Sequence, residues 1–179
     1  MADPRAGRRV ACRLLFLGIV AAEVFFRLLP LGEAGGARMP GPDIMFATVA
    51  AWSFRRPEYV PAALVATAAL VSDFLLMRPP GLWAAILVLA SAYLKTQRRW
   101  VREASFLAEW ARFGILFMTA LLARQAALWV TFSDVPDPGR VLALGAATVA
   151  VYPLVVLVST MVLGIRTTGG GDADAPRLA

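Results

Sequence analysis

Six apolar runs, separated by short breaks rich in proline, glycine and arginine, organise this chain. They lie at roughly Val10–Leu29, Pro42–Phe54, Val60–Met77, Leu82–Leu94, Phe106–Val130 and Val141–Ile165. The breaks read PLGEAGGARMPGP, RRPE, RPPG, KTQRRWVRE and SDVPDPGR. Proline and glycine end helices there, because one removes a backbone donor and the other loosens the chain. The pattern predicts six helices joined by short loops. Runs two and four hold 13 residues each, a rise of only about 20 Å against a hydrocarbon core near 30 Å. Their flanking cations, Arg55, Arg56, Lys95 and Arg98, are therefore expected to snorkel toward water, or the bilayer to thin around them.

Composition supplies the solvent. Of 179 residues, 59% are hydrophobic and 17% charged, where a soluble domain carries about 25% charged residues. A chain this short cannot bury such an excess in one very large core. An all-α polytopic membrane protein is expected: a six-transmembrane-helix bundle over residues 10–165, a short basic N-terminus over 1–9 and a disordered Gly-rich tail over 166–179. With the N-terminus in the cytoplasm, twelve arginines and lysines fall inside and only Arg38, Arg78 and Arg140 fall in outside loops. This positive-inside bias predicts two cytoplasmic termini. The first run also has the length of a signal-peptide core, but the charge pattern favours an uncleaved span. The net charge of +6 reads as this topology signal, with some attraction to anionic lipid. Nothing points to nucleic acid, since no aromatic-basic module accompanies the charge.

The candidate chemistry is sparse. There is no histidine and one cysteine, Cys12, so the commonest general base, most zinc sites and any intrachain disulfide are removed. Neither an enzyme nor a cofactor is expected. What stands out instead is charge inside the apolar runs, where ionisable residues face a bundle interior or a partner. By this topology Glu23, Arg27, Asp43, Asp73 and Arg124 share the outer leaflet. Glu23 precedes Arg27 by four residues, the favourable order for a helical ion pair. Asp73 is expected either to pair with Arg27 or Arg124, or to reach headgroup water or cap the MRPPG turn. Glu109 and Arg112, nearer the cytoplasm, have the spacing to pair with each other. Phe106, Trp110, Phe113 and Phe117 share one helix face, a candidate helix-contact face or a core or lipid-facing stripe. Small residues four apart, such as Gly18/Ala22 and Ala47/Ala51, permit close helix contact.

The stretch PGPDIMFATVAAWSFRRPEYVPAALVATAALVSDFLLMRPPGLWAAILVLASAYL resembles the central region of MreD, the rod shape-determining membrane protein of bacteria. The series that carries the resemblance is Pro42-Asp43 before a short apolar helix, Trp52, Pro57, a third helix bearing Asp73, Gly81, and a helix ending near Tyr93. SFLAEWARF and VYPLVVLVS are similar to the fifth and sixth helices of alphaproteobacterial relatives, so the resemblance covers roughly residues 10–165. MRPPG departs from the small, Ser- or Gly-rich turn of many relatives. The resemblance implies a multi-pass protein of the bacterial inner membrane, acting as a scaffold in the rod complex that directs lateral peptidoglycan synthesis. It implies MreC as direct partner, with MreB, RodA and a class B penicillin-binding protein in the same complex. It also implies a fold similar to the substrate-capture subunits of energy-coupling-factor vitamin transporters. A small-solute binding subunit is accordingly the alternative function.

Overall fold

The computed structural model describes residues 4–29, 41–97 and 105–161. Among these there are six α-helices and no strand: α1 Pro4–Leu28, α2 Ile44–Arg55, α3 Ala62–Leu75, α4 Leu82–Thr96, α5 Phe106–Val130 and α6 Pro138–Met161. A 3-10 turn, Pro57–Tyr59, links α2 to α3. The helix positions follow the apolar runs closely, and α5 coincides with its run. α1 begins at Pro4, within the basic segment 1–9, and continues without a break into the first apolar run. The tail 166–179 and most of the basic loop, 98–104, lie outside the described residues.

The helices alternate in direction, as long-range contacts show. Arg13 near the start of α1 donates to the Glu58 carbonyl beyond the end of α2, and Glu23 near the end of α1 accepts from the start of α2. Lys95 at the end of α4 donates to the Val60 carbonyl just before α3. One end of the bundle therefore carries the α1–α2, α3–α4 and α5–α6 connections, and the opposite end carries the α2–α3 and α4–α5 connections.

The shortest helix is the central one. α2 packs on α1, α4 and α6, and α3 closes the ring between α1 and α4. Every α2 residue from Met45 to Arg55 is buried, as expected for a helix that is apolar around its whole circumference. Its Phe46 meets Phe117 edge-on at 4.8 Å and contacts Phe113 and Trp83. Phe113 stacks on Tyr152 at 3.9 Å. Phe113 and Phe117 are thus interior core, whereas Phe106 is exposed and Trp110 is half-buried, with its indole N–H on the Val149 carbonyl at 2.8 Å. The face joining these four residues is consumed within the chain at its centre. Ala47 and Ala51 are fully buried in α2, while Gly18 and Ala22 face outward.

The exterior is apolar. Phe25, Phe74, Leu89, Ile115, Leu122 and Trp129 are all exposed. Among the described residues two helices, α5 and α6, are long and apolar enough to cross a membrane, and only 28% and 22% of their apolar windows are buried inside the bundle. The helix centred in a soluble core would show the opposite proportion.

Candidate functional site: polar clusters at both ends of the bundle

The end bearing the α1–α2 and α3–α4 turns gathers all five charges singled out in the sequence. Glu23 and Arg27 pair within α1, with Arg27 nitrogens 2.7 and 3.0 Å from Glu23 Oε1. The Glu23 carboxylate also accepts the Ile44 and Met45 backbone N–H groups at 3.2 and 2.6 Å. Those are donors left open by the first turn of α2. Asp43 completes the cap: its Oδ1 accepts from Phe46 N–H at 2.8 Å, and its own N–H donates to Thr148 Oγ1 of α6 at 2.9 Å. Three helices are thereby tied together at the N-terminus of α2, where negative charge is favoured by the helix dipole.

Asp73 acts similarly on α4. It is fully buried, and its Oδ2 accepts the Gly81 and Ala84 N–H groups, each at 3.2 Å. Of the two expectations, capping of the MRPPG turn is the arrangement found, through Oδ2; an ion pair of Asp73 with Arg27 or Arg124 is not found among the described residues. The turn itself closes by backbone bonds from Arg78 N–H to Asp73 O and from Met77 N–H to Phe74 O. This puts Met77 at φ 51°, the left-handed position usually held by glycine. Oδ1 of Asp73 has no hydrogen-bond partner among the described residues.

Arg78 belongs to this cluster, although the sequence placed it only in an outside loop. It lies in the field of Asp43, Arg27, Asp73 and Glu23, and burial pushes its guanidinium below its usual pKa, opposed by Asp43. Arg124 of α5 lies in the field of Arg78, Asp43, Asp73 and Arg27 without forming an ion pair among the described residues. The group thus holds three acidic side chains, Glu23, Asp43 and Asp73, and three arginines, Arg27, Arg78 and Arg124. The cavity among Glu23, Arg27, Asp43, Ser72 and Arg78 is only about 10 Å³, the space of one water.

The opposite end holds a second cluster that sequence reasoning missed. Arg55 of α2 and Glu109 of α5 form a two-pronged ion pair with N···O distances of 2.6 and 3.0 Å. Tyr152 of α6 donates its hydroxyl to Glu109 Oε1 at 2.6 Å. All three are buried. This corrects two expectations: Arg55 does not snorkel, and Glu109 does not pair with Arg112, because both its oxygens are taken by α2 and α6. Lys95 likewise turns inward to the Val60 carbonyl at 2.8 Å. A signal for the pair was present, since Glu109 lies four and eight residues before Phe113 and Phe117 and so shares their buried face. Nearby, Trp52 of α2 donates to Ser159 of α6 at 3.1 Å.

Among the described residues no group of histidine, cysteine or carboxylate side chains is arranged to hold a metal. Comparison with family models, with curated proteins and with solved structures returns no match.

Proposed function

We propose that this chain is a non-catalytic, multi-pass membrane scaffold of the MreD type, a subunit of the rod complex that holds lateral peptidoglycan synthesis to the cell's side wall. In this reading all six helices cross the inner membrane with both termini in the cytoplasm, α2, α3 and α4 being short spans shielded by their neighbours. MreC is the direct partner, and MreB, RodA and a class B penicillin-binding protein share the complex.

The observation that carries this reading is where the buried ionisable side chains are engaged. Glu23 and Asp43 cap α2, Asp73 caps α4, and Arg55 with Glu109 ties α2 to α5. Each joins the chain to itself, while the outward faces are apolar and suited to lipid or partner helices. A small-solute transporter subunit is the second reading, and the roughly 10 Å³ cavity at the outer charges weighs against it, since ligand pockets span about 300–1,000 Å³.

Depletion in a rod-shaped host tests the proposal. Cells should round and swell, with wall synthesis spread beyond the side wall, and affinity purification from native membranes should recover MreC. Cells that keep their shape but lose uptake of one small nutrient would overturn the scaffold reading in favour of the transporter subunit.

A further inference from the structure

A groove of about 540 Å³ lies between the C-terminal half of α4 and the N-terminal half of α5, floored by Phe54 of α2. Its lining is graded. Gln97 and Arg112 stand at the end nearest the α4–α5 connection, and Leu94, Leu116 and Thr119 continue toward mid-bundle. The rims are open to the surroundings: Tyr93 is 53% exposed and Ile115 70%.

Arg112 is available to a ligand for a structural reason. Glu109, the acid one turn before it, is held by Arg55 and Tyr152. Arg112 makes no ion pair among the described residues. A guanidinium at one end of an apolar trough matches an amphiphile with an anionic head. The length selects the kind of amphiphile. From Arg112 to Thr119 a helix rises about 10 Å, which falls within one leaflet of a core about 30 Å thick. A partner transmembrane helix needs the full thickness, whereas one acyl chain needs only a leaflet.

We propose that this groove holds one anionic phospholipid, its phosphate on Arg112 and an acyl chain along Phe54 and Leu116. The inference requires only that α4 and α5 be embedded in lipid, so it stands or falls separately from the role in cell shape.

Native mass spectrometry of the full chain tests it, using detergent micelles doped equally with dioleoyl phosphatidylglycerol and dioleoyl phosphatidylcholine. One phosphatidylglycerol should be retained per chain, favoured about fivefold over phosphatidylcholine, the effect of one arginine near an anionic head. Arg112→Gln should abolish the preference and leave total retained lipid unchanged, and Arg112→Lys should keep it. Leu116→Trp, which fills the trough, should remove the retained lipid. Equal retention of the two lipids by the unaltered chain overturns the proposal even if no variant folds. So does an undiminished preference in Arg112→Gln.

Discussion

Glu109 is a carboxylate inside an aromatic core, stable there only because Arg55 and Tyr152 satisfy it together. Removing one member of a buried pair leaves the other charge without compensation, a loss of about 3–5 kcal/mol. Arg55→Met should therefore sharply lower the apparent melting temperature of the purified protein. The double variant Arg55→Met with Glu109→Met should recover most of that loss, since apolar replacements of similar volume often match a buried pair. If the double variant unfolds as readily as the single one, the pair is not what holds α2 to α5. Asp73 differs, because its partners are backbone N–H groups. Asp73→Ala should cost about 0.5–2 kcal/mol, the range for losing a helix N-cap. Asp73→Asn should cost less, because its amide oxygen still accepts one bond. Equal thermal stability of Asp73→Ala and the unaltered protein would remove the cap from any structural role.

At the level of helices, a strained turn and a close approach give opposite expectations. Met77 at φ 51° strains the α3–α4 turn, where a left-handed L-residue costs about 1–2 kcal/mol. Met77→Gly should raise the melting temperature, and a fall would mean that the methionine side chain contributes more than its strain. Gly145 of α6 faces α5, where an added Cβ would come 2.8 Å from Met118 Sδ and 3.4 Å from Leu121 Cδ1. Met118 is flexible, so Gly145→Ala should be nearly neutral, while Gly145→Leu should destabilise by about 1–3 kcal/mol through overpacking. Met118→Ala should relieve part of that loss. Helix positions were legible in the sequence because apolar runs and Pro/Gly breaks act locally. Glu23 with Arg27 was legible for the same reason, lying one turn apart. Arg55 with Glu109 was not, because 54 residues separate them and Arg55 has a serviceable local role as a flanking cation. Periodicity placed Phe113 on a shared face with Phe106, but only the packing shows that the face turns from core to exterior along α5.

For the whole molecule, the proposed six-span reading, with the charge asymmetry of the loops, predicts one orientation. Reporter fusions after Arg38, Arg78 and Arg140 should read as external, and fusions after Arg56 and Arg99 as cytoplasmic. A cytoplasmic signal after any of the first three breaks the six-span arrangement. Such an assay also separates it from an arrangement in which only α5 and α6 cross the bilayer.

The central position of α2 has a consequence for how the protein is made. Its N-terminus is fastened by Thr148 and its C-terminus by Glu109, both on helices synthesised after it. At about 18 Å it is too short to span lipid comfortably by itself. On the six-span reading proposed above, a nascent chain that had released only its first four helices would carry an unfinished centre, with Arg55 and the N-terminus of α2 lacking Glu109 and Thr148. On the same reading, insertion of the last two helices would supply both contacts and complete the bundle. Chains truncated before α5 should therefore be degraded faster than the full chain, a difference that pulse-chase labelling would read.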